Sequence, residues 1–263
     1  MMSLLDQFGQ ASRARAEADM LETPLAQFEQ LIETFPPVRS LAARLGSGAG
    51  RPPRVIAEMK KASPSAGLLR EEYMPRQIAL GYTRVGAAAL SVLTEPDRFG
   101  GDLSHLVQVR AAHLPVLRKD FLVTPYQVAQ SRVAGADAVL LIAALLAGPA
   151  LGIMILAARR YGLESLVEVH DEEEVSRAID QGAGLIGVNN RDLRTLEVDL
   201  RTSERLAPRI PKGGVMVAES GIRSRRDIDR LMQSGYEAFL IGEALMRERD
   251  PGDALWKMMQ PIE

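Results

Sequence analysis

The chain of 263 residues has no cysteine, three histidines and a formal net charge of only −2. Without cysteine, disulfide bonds, thiolate catalysis and cysteine-ligated metals are excluded. The histidines, His105, His113 and His170, show no spacing typical of a metal site, so we expect no metal. A non-specific nucleic-acid binder would carry a basic excess, and we therefore expect no nucleic-acid partner. The N-terminus has no basic stretch followed by a long apolar one, which argues against a signal peptide and predicts a cytoplasmic protein.

Lysine is also scarce, since only five of the 32 basic residues are lysines. Three of the five, Lys60, Lys61 and Lys119, follow or end short apolar runs. Burial and neighbouring charges shift the pKa of lysine more readily than that of arginine, so lysine is suited to proton transfer. The alternative is an arginine-biased composition in which these lysines remain by chance. We interpret the three positions as parts of an active site.

One segment, 138–158, contains no charged residue and is long enough to suggest a membrane span. Gly148 and Pro149 interrupt it, and a proline inside a helix costs about 3 kcal/mol. We therefore predict a buried strand at 138–142, a loop, and a helix from Pro149 to about Tyr161, with no membrane span. Because this helix lacks a polar face, our hypothesis is a homodimer through residues 149–161.

Repeated strand and helix patterns predict the fold. The first fifty residues favour two helices, one over 11–20 and one from Thr23 as N-cap to Phe35, followed by a glycine- and proline-rich loop over 46–53. Eight apolar runs then alternate with helical segments: 55–59, 88–93, 115–118, 138–142, 166–169, 185–188, 215–218 and 238–241.

Apolar runs that do not alternate with polar residues indicate parallel strands covered by helices, and eight such units favour a closed (β/α)₈ barrel. A doubly wound open sheet usually has fewer strands and a glycine-rich first turn, which this chain lacks. We predict an α/β protein with one barrel domain, 1–263, in which 1–54 forms an N-terminal helical extension and linker.

In such a barrel the carboxyl ends of all strands meet on one face, where catalytic residues lie. Glu58 and Lys60 are two residues apart, so their side chains point to the same side and are expected to form an ion pair. A purely structural salt bridge closing the barrel mouth is the alternative. Ser63 follows the same strand, and candidate residues at the other strand ends are Lys119, Glu168, Asn189, Arg191, Glu219 and Ser220.

The last two strands are followed by glycines that favour a phosphate site. Barrels often bind phosphate with the loops after strands 7 and 8 and the N-terminus of a short helix. Gly221 and Gly242 would let an anion approach main-chain N–H groups, and the N–H of Glu243 would begin the helix. We expect the Glu243 side chain to point away from the anion.

Five segments together resemble the motifs of the indole-3-glycerol phosphate synthase family. They are Ile56-Ala57-Glu58-Met59-Lys60-Lys61-Ala62-Ser63-Pro64-Ser65, Val116-Leu117-Arg118-Lys119-Asp120-Phe121, Val167-Glu168-Val169-His170, Gly187-Val188-Asn189-Asn190-Arg191-Asp192-Leu193 and Ala218-Glu219-Ser220-Gly221-Ile222. The similarity extends from about residue 55 to residue 246, in the family's order and spacing. The family also carries an extension before strand 1 that lies over the mouth of the site.

The resemblance implies a lyase of tryptophan biosynthesis that needs no cofactor and acts on a phosphorylated small molecule. Its substrate, 1-(2-carboxyphenylamino)-1-deoxyribulose 5-phosphate, closes its ring and loses CO₂ and water to give indole-3-glycerol phosphate. By the same resemblance Lys119 is the general acid of ring closure and Glu168 a second acid/base. Lys60, positioned by Glu58, would hold the substrate carboxylate. Asn189, Arg191, Glu219 and Ser220 would orient the substrate.

Two alternatives remain at this stage. Phosphoribosylanthranilate isomerase shares the phosphate loops, but its reaction does not require a carboxylate-binding lysine. A non-catalytic barrel that senses a phosphorylated ligand would lack one of the catalytic groups, and all are present here. Phe99 and Leu141 are candidates for the wall around the aromatic ring and equally for the core.

Overall fold

Eight parallel strands close into a barrel in this computed structural model. The structure describes residues 2–46, 52–211 and 213–261. Each strand pairs with its neighbours in chain order, and β1 pairs with β8 to close the sheet. The strands are β1 (Arg54–Met59), β2 (Ala89–Leu93), β3 (Val116–Lys119), β4 (Ala138–Ile142), β5 (Glu164–Val169), β6 (Leu185–Asn189), β7 (Val215–Glu219) and β8 (Ala238–Ile241).

The predicted barrel and all eight predicted strands are therefore confirmed, with boundaries within two residues. The uncharged segment is a strand, β4, followed by a helix over Ala150–Arg160. No helix within 2–46, 52–211 and 213–261 is long and apolar enough to cross a membrane. A short antiparallel hairpin, Ala62–Ser63 with Gly67–Leu68, follows β1.

Side chains alternate between two cores along each strand. In β4, Leu140 and Ile142 belong to the apolar cluster inside the barrel, whereas Val139 and Leu141 belong to the larger cluster between barrel and helices. Successive residues of a strand point to opposite faces, which fixes this division. Leu141 is thus a core residue and does not form a wall of the site.

Helices surround the barrel, and many begin with a side-chain cap. Ser3 and Asp6 form a reciprocal capping box that starts the first helix at Leu4, earlier than the predicted residue 11. The predicted N-cap Thr23 is wrong, because Thr23 ends the first helix and Pro24 precedes the second. The helices are α1 (Leu4–Glu22), α2 (Leu25–Ile32), α3 (Leu41–Leu45), α4 (Pro75–Arg84), α5 (Pro96–Phe99), α6 (Ser104–Val109), α7 (Pro125–Val133), α8 (Ala150–Arg160), α9 (Glu172–Asp180), α10 (Arg201–Leu206), α11 (Arg225–Gln233), α12 (Glu243–Met246) and α13 (Pro251–Met259), with 3₁₀ turns at Arg110–Ala112 and Ala207–Arg209.

The N-terminal segment reaches from the mouth of the barrel to its base. Helix α1 supplies residues to the cavity at the mouth, and α2 packs along α7 on the side. In α3, Leu41 and Leu45 are buried and complete the apolar cluster inside the barrel. The predicted loop over 46–53 lies partly outside the described residues, since 47–51 are not among them. The expected extension is confirmed and also plugs the base.

Leu41 and Leu45 of α3 form a plug at the base of the barrel, and truncating one of these side chains should destabilise the protein. Leu41 is 0% exposed, and replacing a buried leucine by alanine costs about 2–5 kcal/mol through lost burial and a cavity. We expect Leu41→Ala to lower the melting temperature by several degrees in a thermal scan followed by circular dichroism. Leu21→Ala, at a side chain 88% exposed on α1, is the matched control. Equal melting temperatures for the two variants would contradict the plug.

Candidate active site

A cavity of about 610 Å³ opens at the carboxyl ends of the strands. Because every second side chain points inward, polar residues at the last inward positions form one layer below this opening. All thirteen site residues predicted from the sequence line the cavity: Glu58, Lys60, Ser63, Phe99, Lys119, Glu168, Asn189, Arg191, Glu219, Ser220, Gly221, Gly242 and Glu243.

Lys119 lies between two carboxylates at the floor of the cavity. Its Nζ donates to Glu168 Oε2 at 3.1 Å and is 3.8 Å from Glu219 Oε2. Asn189 Nδ2 donates to the other oxygen of Glu168 at 3.0 Å. Both glutamate side chains are 2% exposed, so water screens these charges little. The arrangement fixes the direction in which Lys119 presents its protons.

Charge balance in this cluster shifts the pKa values in different directions. Burial opposes the charged form of Lys119, but Glu168 and Glu219 outweigh it and raise the pKa of Lys119 above its ordinary value. Burial likewise acts against the ionised form of Glu168, yet Lys119 holds the pKa of Glu168 below its usual range. Burial and the neighbouring Glu168 charge raise the pKa of Glu219 well above its usual range. The cluster therefore favours a charged Lys119 and an ionised Glu168, whereas Glu219 keeps its proton to higher pH than an ordinary glutamate.

A second ion pair, predicted from the two-residue spacing, joins Lys60 Nζ to Glu58 Oε1 at 2.7 Å. Two inward-facing glycines give the carboxylates room. A Cβ on Gly242 would lie 2.8 Å from Glu58 Cδ and overlap Oε1, and a Cβ on Gly187 would overlap Glu219 Oε1. Gly242 therefore has a packing role besides the expected approach of an anion.

The loops after β7 and β8 face each other across the cavity. Ser220 and Gly221 have φ values of 64° and 80°, so two successive residues adopt the left-handed conformation. Asn190 Nδ2 donates to the carbonyl oxygens of Glu219 and Ser220 at 2.9 and 3.2 Å and holds this turn. Asn190 belongs to a motif noted in the sequence, but its anchoring role was missed.

After β8, the helical hydrogen bonds begin at the N–H of Leu245, which donates to the carbonyl of Gly242. The N–H groups of Glu243 and Ala244 precede this bond, and both residues line the cavity. The Glu243 carboxylate accepts from Arg247 at 2.9 Å and lies 3.7 Å from Arg191. These two arginines, which also line the cavity, offset the negative charge of the Glu243 side chain.

Aromatic and apolar side chains form the opposite wall. Phe8 stacks on Phe121 with centroids 4.2 Å apart, and Phe99 lies 6.0 Å from Phe8. Leu4 and Leu5 of α1 also line the cavity. The sequence predicted Phe99 and an extension over the mouth, but not the α1 residues that line the cavity, nor Phe121. The Ser3–Asp6 capping pattern and the motif containing Phe121 were the available signals.

A family model described as indole-3-glycerol phosphate synthase matches residues 5–258. The chain belongs to the indole-3-glycerol phosphate synthase family. A relative of that name from Carboxydothermus hydrogenoformans is 55% identical over 76% of this chain and 77% of its own. A relative from Parafrankia is 47% identical over 95% of this chain and 92% of its own. A relative from Streptomyces coelicolor, named indole-3-glycerol phosphate synthase 1, is also 47% identical, over 97% of this chain and 94% of its own.

Among solved structures, thiamine phosphate pyrophosphorylase from Pyrococcus furiosus superposes with a TM-score of 0.58. It covers 78% of this chain and 93% of its own, with 14% sequence identity. At this identity the similarity concerns the barrel fold alone.

The raised pKa of Glu219 predicts a pH-dependent effect of Glu219→Gln. In the unfolded chain this glutamate ionises near pH 4.3, whereas in the folded chain it keeps its proton to higher pH. The folded state then binds more protons, so wild type loses up to about 1.4 kcal/mol of stability per pH unit above pH 4.3, until the folded pKa is reached. Glutamine cannot ionise. The melting temperature of Glu219→Gln relative to wild type should therefore rise between pH 5 and pH 8.

Glu173→Gln, at an exposed position of α9, is the control for that scan and should show no such trend. A constant difference between Glu219→Gln and wild type across the pH range would contradict a protonated Glu219.

Proposed function

We propose that Lys119 is the general acid of the family's reaction, which converts 1-(2-carboxyphenylamino)-1-deoxyribulose 5-phosphate into indole-3-glycerol phosphate, CO₂ and water. Ring closure places negative charge on the former ketone oxygen, and a fixed cation that also carries a proton meets this need. The observation that carries the proposal is the position of Lys119, buried at the cavity floor, charged, and directed by Glu168 and Glu219.

Glu168 is the second acid/base in this scheme and serves the dehydration. Asn189 fixes one of its oxygens and Lys119 the other, so its orientation is set before substrate binds. Lys60 holds the substrate carboxylate, and Glu58 keeps its ammonium group in place at 2.7 Å. Decarboxylation uses the iminium formed in ring closure as electron sink and requires no cofactor.

The remaining residues place the two ends of the substrate. Ser63 and Phe99, with Phe8 and Phe121, line the side that suits the anthranilate ring. Arg191, Glu219 and Ser220 line the floor and the opposite side, where the ribulose hydroxyls would lie. Gly221, Gly242 and Glu243 line the cavity, and their N–H groups would bind the phosphate.

The geometry favours this reaction over the isomerase alternative. One acid and one base would suffice for an internal redox rearrangement. This cavity instead holds two lysine–glutamate pairs, Lys60 with Glu58 and Lys119 with Glu168. The second pair matches the acid/base steps, and the first leaves a cation for the substrate carboxylate.

Lys119→Ala should reduce turnover on the order of 10²-fold or more, because it removes a positioned general acid. Formation of indole-3-glycerol phosphate from the carboxyphenylamino-deoxyribulose phosphate, followed by fluorescence, measures the effect. Lys257→Ala, at a lysine of α13 outside the cavity, is the control and should retain full turnover. Equal rates for Lys119→Ala and wild type would mean that another residue is the general acid, and Lys60 would be the next residue to replace.

We infer further that residues 1–263 form a single barrel domain with 1–54 as extension and linker, and that the protein acts in the cytoplasm on small molecules, not on nucleic acid.

Self-association through α8 also remains a proposal. Most of this apolar helix packs against the barrel, and Ile153 and Leu156, 52% and 62% exposed, are the large apolar side chains on its outer face.

If this face joins two copies, light scattering after size exclusion should give a dimer mass for wild type. Ile153→Glu with Leu156→Glu should give the mass of one chain, because burying two carboxylates at an interface is costly. Trp256→Glu, at a half-exposed residue on α13, is the control. A monomer at high wild-type concentration would contradict the proposal.

A further inference from the structure

Behind Glu168 lies a histidine with no role in the steps above. His170 follows β5 and points to the same side as Glu168, two residues earlier. Its side chain is only 15% exposed, and its Nε2 lies 3.5 Å from Glu168 Oε1. The Nε2 atom is buried and has no hydrogen-bond partner among the described residues.

Glu174 of α9 fixes the orientation of this ring. One of its oxygens, Oε2, accepts the main-chain N–H of His170 at 2.8 Å and lies 3.1 Å from Nδ1. The side chain of Asp171 caps α9 by accepting the N–H of Glu174, and this bond fixes the position of Glu174 at the start of the helix. A carboxylate accepts only, so Nδ1 carries a proton and Nε2 is the atom left to face Glu168.

This geometry favours a proton between His170 and Glu168. If the ring were neutral and Glu168 ionised, two acceptors, Nε2 and Oε1, would face each other at 3.5 Å. The repulsion is relieved when the proton lies on Nε2, giving an imidazolium beside a carboxylate, or on Oε1, giving a neutral ring beside a carboxylic acid. The two arrangements differ by the transfer of one proton.

The proposed role of Glu168 in dehydration requires such a proton transfer. Lys119 keeps Glu168 ionised, although dehydration needs a proton donor for the leaving hydroxyl. We propose that His170 is a positioning and proton-supplying residue that passes its Nε2 proton to Glu168, so that an otherwise ionised carboxylate acts as an acid. Glu168 then gives this proton to the hydroxyl, which leaves as water. After the product has left, Glu168, which lines the open cavity, takes a proton from solvent and returns it to Nε2 of the neutral ring. This inference rests on the proposed role of Glu168.

The charged groups that face the ring favour its protonated form. Glu168 on β5 and Glu174 on α9 are the nearby carboxylates, and Lys119 on β3 is the opposing cation. Burial lowers the pKa of His170, but the hydrogen bond to Glu174 and the two carboxylates outweigh burial and Lys119, so the pKa is raised overall. The imidazolium is thereby kept to higher pH, and it is lost as the pH rises through the raised pKa.

Nuclear magnetic resonance of ¹⁵N-histidine-labelled protein tests the coupling without turnover. The chain has three histidines, so the signals of His170 are assigned by their loss in His170→Gln. The pKa of His170 should lie above that of an ordinary histidine and fall in both Glu168→Gln and Glu174→Gln. A His170 titration that is the same in Glu168→Gln and wild type would overturn the proposal.

The pH profile of kcat tests the role in catalysis. His170→Gln should lower kcat on the order of tenfold, because part of the acid catalysis through Glu168 is lost. Glu174→Gln keeps an acceptor for the His170 N–H and should move the alkaline limb of the profile to lower pH. Glu173→Gln, the exposed neighbour on α9, should leave the limb in place. An unmoved limb in Glu174→Gln would reduce His170 to a structural residue and overturn the proposal.

Failure of the proposed function itself gives a different result. Full turnover in Glu168→Gln would show that Glu168 is not needed for the reaction. The proton relay from His170 to Glu168 would then have no role either, whatever pKa His170 shows. Loss of turnover in Glu168→Gln with an unmoved profile in Glu174→Gln would overturn the relay alone.

Discussion

The contact between Lys119 and Glu168 depends on the closure of the whole barrel. The two residues lie on strands β3 and β5, 49 positions apart, yet Nζ and Oε2 are 3.1 Å from each other. Both side chains point inward because each occupies an inward position of its strand, and the parallel registers bring these positions to one level. A buried charge of this kind is tolerated only with its partner in place, so the fold and the chemistry are mutually dependent.

Space for the carboxylates comes from glycines on neighbouring strands. Glu219 occupies the volume that a side chain on Gly187 would fill, and Glu58 occupies that of Gly242. The close approach concentrates three carboxylates around Lys119. Burial first, and then the charge of Glu168, raise the pKa of Glu219, whereas Lys119 lowers the pKa of Glu168. Two chemically identical side chains thus acquire different protonation states from their surroundings alone.

The N-terminal extension connects opposite ends of the barrel. Phe8 contributes to the aromatic wall at the mouth, whereas Leu41 and Leu45 fill the base. Ser12 anchors α1 between the carbonyl of Phe121 and the side chain of Gln127, at 2.5 and 2.7 Å. The wall of the cavity is therefore held by contacts with the same loop that follows Lys119.

The sequence by itself determined the eight strands, the barrel and the set of residues at its mouth, because apolar runs, strand-end positions and motif spacing are local properties. It left open whether Leu141 lines the cavity or lies in the core. It also did not reveal the space that Gly187 leaves for Glu219, or which residues of the extension line the mouth and which fill the base. Those features depend on which strand faces which and on what covers the opening. The protonation of Glu219 and the position of His170 behind Glu168 were likewise decided by tertiary structure alone, since electrostatic coupling depends on distances and burial that exist only after the barrel has closed.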